Sequence, residues 1–439
     1  MSANLDAMPL LASCLDAMPK GHFAGVEVVY VNHLISDSLM VARALADGGA
    51  RVWSVGLPYG SLVGPVRQGV IAGLGELGPA WVPEVTHPLA FSSQVRVAVR
   101  EALLAATAAG SRPVLVVEDG GYAVPMLHDD PTLRGALARC LGAVEHTTRG
   151  RLNDEFNEVD DIPVSPRQLR IPVVTIAASR LKSIHEPPFV GQAIVDELAY
   201  LLRRRHQFLR YRRAVVLGFG RIGEGVAGAL VGQGVEVTVI EPEGPVARRA
   251  AAAGFDVYRA LTPELLQGDA LVVGVTGMPS FTASHLAWFL AGAGRELVLV
   301  SGSSKEIEFS RAMAALEADP VAEGHHDVDL GRWWDVGRKR VTVLADGYPV
   351  IFFPAHTNGA PNLAMDPVMT QLYLASCFLR ANADRLAPGV HHVDTVDDQR
   401  TELRRGPWDV LFDSPALLRR WYQLARLETS GYLDRINLC

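Results

Sequence analysis

Cysteine is scarce and scattered in this sequence. The four cysteines, at positions 14, 140, 377 and 439, form no C-x-x-C pair. The spacing therefore indicates neither a zinc site nor a disulfide framework, and no metal is expected. So few, dispersed thiols are typical of a protein that stays in a reducing compartment.

Long apolar runs and an excess of positive charge are also missing. No segment reaches the ~18 uninterrupted apolar residues of a membrane-spanning helix, and the start of the chain, with Asp6 and Asp16 around a short apolar run, has no basic leader. The formal net charge is −7, which argues against nonspecific binding to a polyanion. We therefore expect a cytoplasmic protein whose partners are neither membranes nor nucleic acids.

The remaining composition is that of an ordinary globular protein. The chain has 439 residues, of which 49% are hydrophobic and 20% are charged, so neither a disordered nor a fibrous class is indicated. Since single hydrophobic cores stop growing at ~250–300 residues, the length predicts two or three domains.

One stretch, Ala214–Pro242, has the pattern of a β-α-β unit. The apolar residues Ala214–Leu217 predict a buried parallel strand, and a helix over Ile222–Gln233 ends at Gly234, which suits a C-terminal cap. A second apolar strand follows at Val235–Ile240. Between strand and helix the G-x-G-x-x-G spacing is formed by Gly218, Gly220 and Gly223.

This glycine spacing predicts dinucleotide binding. The first glycine permits the tight turn, the second lets the backbone approach a pyrophosphate, and the third lets helix and strand pack closely. Glu241, at the end of the second strand, would accept hydrogen bonds from both ribose hydroxyls and repel a 2′-phosphate, so it favours NAD over NADP. The alternative for Glu241 is a solvated strand end.

A second α/β region precedes this unit. Gly25–Val31 predicts a strand, Ser36–Ala46 has helical apolar spacing, and Arg51–Val55 predicts another strand. His33 stands where the first strand ends, which is where ligands bind in such sheets. The alternative is a histidine that only caps the following helix.

Further polar residues follow predicted strands. Pro113–Val117 runs into Glu118–Gly121, so Asp119 lies either at the mouth of the sheet or in ordinary turn chemistry. The run Glu145–Arg149 follows a predicted apolar helix and is either a helix terminus or a ligand loop. Ile171–Ala177 predicts a strand that leads to Lys182.

The second half of the chain completes the predicted organisation. Pro187 and Pro188 are expected to end regular structure, after which a helix over Val190–Arg204 links the two regions. Val341–Phe353 predicts a strand, a turn and a second strand. The long apolar helix Met365–Phe378 is expected to cross back to the first region and to offer contact surface.

With these residues in view, the chain resembles the S-adenosylhomocysteine hydrolase family from about Val26 to Leu403. Order and spacing agree over several separate motifs. These motifs are His33, Glu118-Asp119-Gly120-Gly121, Glu145-His146-Thr147-Thr148, Lys182-Ser183 with Glu186, Val195-Asp196, the glycine turn with Glu241, Thr276-Gly277, and Gly389-Val390-His391. The resemblance implies an α/β fold in which a Rossmann-type NAD-binding domain, residues 190–355, is inserted in a second α/β, substrate-binding domain, residues 1–189 and 356–439.

The family uses NAD to oxidise a ribose 3′-hydroxyl transiently, which acidifies the C4′ proton so that a C5′ group can leave. The catalytic residues implied by the resemblance are His33, Asp119, Lys182 and Glu186. The implied substrate-binding residues are Asp37, His146, His356 and Asn358. The implied cofactor-binding residues are Thr147, Thr148, Gly218, Gly220, Arg221, Ile222, Gly223, Glu241, Thr276, Gly277 and Gly302. The resemblance also implies a nucleoside substrate and a homo-oligomer, either a dimer or a tetramer.

Departures from the family pattern fall on the substrate side. Ile35 replaces a threonine, Ser303 stands where the family has a histidine near the leaving sulfur, and Ile351 replaces an asparagine. The family's Lys-Pro-Asp-His-Tyr-Arg-Tyr terminus is missing. Three hypotheses follow: a nucleoside dehydratase or lyase of the kind proposed in nucleoside-antibiotic pathways, an orthodox S-adenosylhomocysteine hydrolase, and a non-catalytic NAD-binding regulator.

Overall fold

The computed structural model describes residues 7–60, 62, 64–85, 87–146, 169–210, 212–303, 308–353, 358–395 and 402–426. Its strands are β1 Glu27–His33, β2 Arg51–Leu57, β3 Ala80–Trp81, β4 Val114–Glu118, β5 Cys140–Glu145, β6 Pro172–Thr175, β7 Arg213–Leu217, β8 Glu236–Ile240, β9 Asp256–Tyr258, β10 Ala270–Gly274, β11 Glu296–Ser301, β12 Ala322–Asp327, β13 Gly331–Val336, β14 Lys339–Leu344 and β15 Gly389–His392.

The α-helices are α1 Pro9–Ala17, α2 Ser36–Asp47, α3 Pro65–Leu77, α4 Phe91–Ala108, α5 Ala123–Asp129, α6 Arg134–Arg139, α7 Glu186–Arg204, α8 Arg221–Gly232, α9 Gly244–Ala252, α10 Ala283–Ala291, α11 Ser310–Ala318, α12 Asn362–Asn382 and α13 Ser414–Leu424. None of the described helices is long and apolar enough to cross a membrane.

Two sheets organise these elements. The first sheet has seven strands in the order β15-β6-β5-β4-β1-β2-β3, and all of its strand pairs are parallel. The second has eight strands in the order β12-β13-β14-β11-β10-β7-β8-β9, and it is parallel except for the antiparallel pairs β12-β13 and β13-β14. Every residue of β1 is buried, as expected for a parallel strand that is covered on both faces.

The chain leaves the first sheet after β6 and returns to it only at β15, which pairs with β6. The second sheet therefore lies within the sequence of the first, and the predicted α/β fold with an inserted Rossmann-type unit is confirmed. The boundaries at residues 189/190 and 355/356 stay predictions.

Some local predictions were wrong, and each has a physical reason. Helix α7 begins at Glu186, so Pro187 and Pro188 start a helix instead of ending structure, because proline is well tolerated in the first turn. Residues 140–145 form β5 rather than an apolar helix. Within residues 341–353, all of which are described, β14 is not followed by the predicted second strand, because the chain turns through short 3₁₀ segments at Ala345–Gly347 and Val350–Phe352.

Helix α12 lies in the core of the first sheet's domain. It packs on α1, α2 and β5, and most of its residues are buried. Its Asp366 accepts hydrogen bonds from Leu10 N at 2.7 Å and Leu11 N at 3.0 Å, which anchors the first turn of α1. The expectation that this helix offers contact surface was therefore wrong, and a homo-oligomer stays a prediction based on the resemblance.

Candidate active site

Four neighbouring strands of the first sheet, β6, β5, β4 and β1, deliver polar side chains to one edge. His33 is the last residue of β1, and Asp119 and His146 directly follow β4 and β5. Lys182 lies in a short π-helical turn between β6 and α7. Because the carboxyl ends of parallel strands meet at the same edge of a sheet, these side chains converge.

His33 and Asp119 form a close pair. His33 Nε2 lies 2.8 Å from Asp119 Oδ2, and the turn that follows Asp119 uses the positive φ angles of Gly120 and Gly121, +99° and +66°. Burial alone would raise the pKa of Asp119, but the charge and hydrogen bond of His33, with His146 and Lys182, lower it well below its usual value. His33 does not cap α2, whose N-cap has no side-chain hydrogen bond.

His146 faces the same carboxylate. Its Nδ1 lies 3.9 Å from Asp119 Oδ2, and the side chain is buried. Burial, reinforced by the charge of Lys182, lowers the pKa of His146 to about 3. The imidazole is therefore neutral at physiological pH. Glu145 ends a strand, so the run does not follow a helix as predicted; its residues 147–149 lie outside the described part of the chain.

Lys182 and Glu186 form a second buried pair. Lys182 Nζ donates to Glu186 Oε1 at 2.7 Å, and both side chains are almost completely buried. The backbone N–H of Lys182 donates to Ser179 Oγ at 3.1 Å, and the Ser179 hydroxyl in turn donates to Gln371 on α12 at 2.6 Å. Burial raises the pKa of Glu186, and the charge of Lys182 opposes that rise.

A cavity of about 310 Å³ lies between these pairs and the second sheet. Its wall includes all four predicted catalytic residues and the predicted substrate-binding residues Asp37, His146 and Asn358. Predicted cofactor-binding residues in the wall are Gly220, Arg221, Ile222, Thr276, Gly277 and Gly302. Gly218, Gly223 and Glu241 do not line it, and Thr147, Thr148 and His356 lie outside the described residues.

The glycine turn after β7 has the geometry of a phosphate cradle. Gly218 has φ +93°, and a Cβ on Gly223 would lie 2.2 Å from Gly218 O, so both positions require glycine. A Cβ on Gly220 would project into open space beside the cavity. Helix α8 begins directly after Gly220, so its free N–H groups and dipole face the place where an anion would bind.

Comparison with known proteins agrees with this arrangement. No family model matches the chain. The adenosylhomocysteinase of Aeropyrum pernix is 24% identical over 377 residues, which cover 86% of this chain and 83% of that protein. The adenosylhomocysteinase of Nostoc sp. is 23% identical over 412 residues, 93% of this chain and 89% of that protein. The S-inosyl-L-homocysteine hydrolase of Methanocaldococcus jannaschii is 24% identical over 379 residues, with coverages of 86% and 83%. The chain is therefore similar to adenosylhomocysteinases over most of its length.

Several buried polar atoms of the adenosylhomocysteinase-like site have no hydrogen-bond partner among the described residues. All of them belong to residues that line the cavity. They are His33 Nδ1, Asp37 Oδ2, both ring nitrogens of His146 and Glu186 Oε2. Since a buried polar group without a partner costs about 1–3 kcal/mol, this set fits a ligand with several hydroxyl and amino groups.

Asp37 and Asn358 also contribute polar side chains to the cavity wall. Asp37 Oδ1 accepts from Ser38 N at 2.5 Å, and burial raises the pKa of Asp37 to about 6. Asn358 Oδ1 accepts from Ser36 N at 3.4 Å. Ile35, Met365 and Met369 supply apolar parts of the same wall.

Glu241 is hydrogen-bonded to the backbone of the glycine turn. Its two carboxylate oxygens accept from Phe219 N at 2.8 Å and from Glu243 N at 2.9 Å, and the residue is 6% exposed. The solvated alternative for Glu241 was therefore wrong. A carboxylate oxygen has more than one lone pair, so both oxygens retain capacity for ribose hydroxyls.

Sequence reasoning missed two residues of the site. Phe352 lines the cavity and stacks on His33, with ring centroids 4.2 Å apart. Glu308 is fully buried behind the turns that follow β10 and β11. Neither belongs to a motif or follows a strand, so only the three-dimensional contacts reveal them.

Proposed function

We propose that this chain is an NAD-dependent enzyme that oxidises an adenine nucleoside transiently at C3′ and eliminates a group from C5′. The observation that carries the proposal is the pair of buried ion pairs, Lys182 with Glu186 and His33 with Asp119. They face a cavity whose opposite wall includes the glycine turn. A protein that only binds a dinucleotide has no need of two proton-transfer pairs at that place.

The residues fit a dinucleotide. The turn Gly218–Gly223 and the start of α8 would hold the pyrophosphate, and Glu241 would hold a ribose. Thr276, Gly277 and Gly302 would border the part of the cofactor nearest the sugar. When bound, NAD would supply the oxidation of C3′ and its later reduction.

Lys182 and Glu186 are placed to handle the proton of the 3′-hydroxyl. A lysine amine can accept that proton only in its neutral form. The unpartnered Glu186 Oε2 gives the hydroxyl proton a second acceptor.

Asp119 and His33 are placed for the elimination. A ketone at C3′ acidifies the C4′ proton, and Asp119, whose lowered pKa keeps it ionised, would accept it. His33 in its protonated form would then donate from Nδ1, which has no partner among the described residues, to the departing oxygen on C5′. The C4′–H and C5′–O bonds break, a C4′–C5′ double bond forms, and water leaves.

The leaving group is proposed to be water rather than a thiolate. Ser303 stands where the family has a histidine near the sulfur, and its hydroxyl donates to Glu308. It is therefore engaged on the side away from the cavity. The product of water loss would be a 4′,5′-alkene, which makes the reaction that of a dehydratase or lyase, of the kind proposed in nucleoside-antibiotic biosynthesis.

The second candidate is hydrolysis of S-adenosylhomocysteine. It is favoured by the similarity to the two adenosylhomocysteinases described above, which spans most of the chain. Both candidates share the oxidation at C3′ and differ in the group on C5′.

The test is product analysis. The purified protein with NAD would be given S-adenosylhomocysteine and a panel of adenine nucleosides with a free 5′-hydroxyl, and the products would be identified by mass spectrometry. We expect loss of one water from a nucleoside, and faster turnover of it than of the thioether. Release of homocysteine at a matching rate would favour the hydrolase, and no reaction with any substrate, despite bound NAD, would favour a regulator. Asp119→Asn is the matched control, since it keeps the shape of the site without the base.

A further inference from the structure

Glu308 is a fully buried carboxyl group that the proposed chemistry does not use. It precedes α11 and lies behind the turns that follow β10 and β11. Its own backbone carbonyl also accepts from Ser280 N at 3.2 Å and Phe281 N at 3.3 Å. Side chain and backbone of this residue thus both bind the loop after β10.

The Glu308 carboxyl group accepts hydrogen bonds from two turns at once. From the turn after β10, Gly277 N donates to Oε1 at 2.6 Å, Thr276 Oγ1 lies 3.1 Å from both oxygens, and the Ser280 hydroxyl donates to Oε2. From the turn after β11, the Ser303 hydroxyl donates to Oε1. Ser303 Oγ also accepts from Gly277 N at 3.0 Å, which closes the network.

The fold makes room for this carboxyl group. A Cβ on Gly274, the last residue of β10, would lie 2.8 Å from Glu308 Oε2. A side chain there would therefore push the carboxyl out of its place. Burial raises the pKa of Glu308, while its hydroxyl and N–H donors oppose that rise.

Glu308 itself does not line the cavity, but Thr276, Gly277 and Ser303 do. We propose that Glu308 is a positioning residue for the nicotinamide half of the dinucleotide, because it fixes the two turns that border that half. The inference rests on the proposed function, since it requires that the cavity holds the cofactor. The glycine turn and Glu241, which would hold the pyrophosphate and adenosine half, have no hydrogen bond to Glu308 among the described residues.

The test compares two ligands that share one half. NADH carries the nicotinamide, and ADP-ribose has the same adenosine and pyrophosphate without it. Their dissociation constants would be measured by calorimetry for the full-length protein and for Glu308→Gln. Glutamine keeps one acceptor oxygen but places an N–H₂ group against the donors that face the other, so the charge and part of the shared hydrogen bonding are lost.

We expect Glu308→Gln to weaken NADH about 10–100-fold, as the loss of hydrogen bonds to a charged acceptor implies, and to leave ADP-ribose within about threefold. The control is Asp269→Asn in the same domain. Asp269 Oδ1 also accepts two backbone N–H groups, those of Arg295 at 2.7 Å and Glu296 at 2.9 Å, but at the opposite end of β11. It should leave both affinities unchanged.

If Glu308→Gln does not fold, Ser303→Ala gives the same contrast, because it removes one of the bridging contacts and keeps the carboxyl. Equal weakening of NADH and ADP-ribose would overturn the positioning role, and so would unchanged NADH affinity. A wild-type protein that binds neither ligand would contradict the proposed function itself.

Discussion

The Lys182–Glu186 pair allows stability and catalysis to be separated by two variants. Lys182→Met keeps the approximate shape of the side chain but removes the charge that compensates Glu186, which is 5% exposed. The double variant Lys182→Met/Glu186→Gln removes both charges. We expect the single variant to be unstable and the double variant to recover, because only the single variant leaves a buried charge without a partner.

The size of the effect follows from the burial. Removing one partner of a buried ion pair costs about 3–5 kcal/mol, whereas replacing both partners is often neutral. For a domain of 150–250 residues, each kcal/mol shifts the thermal midpoint by about 2–4 °C. The single variant should therefore unfold about 6–20 °C lower than the wild type, and the double variant should recover most of that loss.

Turnover should behave differently from stability. Both variants lack the amine at the sugar, so both should lose about 10²–10⁴-fold in activity. The assays are thermal unfolding by circular dichroism and product formation from the best nucleoside of the panel. The matched control is Arg405→Met, since Arg405 and Asp409 have the same i,i+4 spacing at 3.7 Å but are exposed, and such pairs contribute at most about 1 kcal/mol. A double variant that retains turnover, or a single variant with an unchanged midpoint, would refute the assigned role.

Four further outcomes are expected. Glu241→Ala should weaken NAD relative to NADP by about 1–3 kcal/mol; equal affinities in the wild type would contradict the NAD assignment. Asp119→Ala and His33→Ala should both allow oxidation but stall afterwards, so that reduced cofactor builds up, and only Asp119→Ala should also slow exchange of the C4′ proton with deuterated solvent. Burial raises the pKa of Asp37 from 3.8 to about 6, so the stability linked to its protonation is present below pH 4 and lost as pH rises through 6. Asp37→Asn should therefore be as stable as the wild type at pH 4 but about 3 kcal/mol more stable at pH 8, measured as thermal midpoints. Light scattering should show a dimer or tetramer at micromolar concentration, and a monomer would contradict that expectation.

Local sequence patterns were enough to predict the fold and part of the candidate site. The glycine spacing and the apolar runs are short-range signals, so β7, α8 and β8 could be predicted to within about two residues. The rule that ligands bind at strand ends placed His33 and Asp119 correctly in the cavity wall. No comparable signal marks Glu308 or Phe352, because their contacts join residues far apart in sequence. The prolines at the start of α7 led to a wrong prediction for a different reason. Proline occurs both in the first turn of helices and at points where helices end, and only its position relative to the helix distinguishes the two cases.

The stacking of Phe352 on His33 couples the cavity wall of the first sheet to the segment that follows the second sheet. Phe352 belongs to the segment that leads from the second sheet back to the first, whereas His33 ends a strand of the first. The environment of His33 thus includes a residue whose position depends on both sheets. A ligand that stabilises this arrangement from the cofactor side should also favour sugar binding beside His33. By thermodynamic reciprocity, the sugar should then tighten cofactor binding by the same factor.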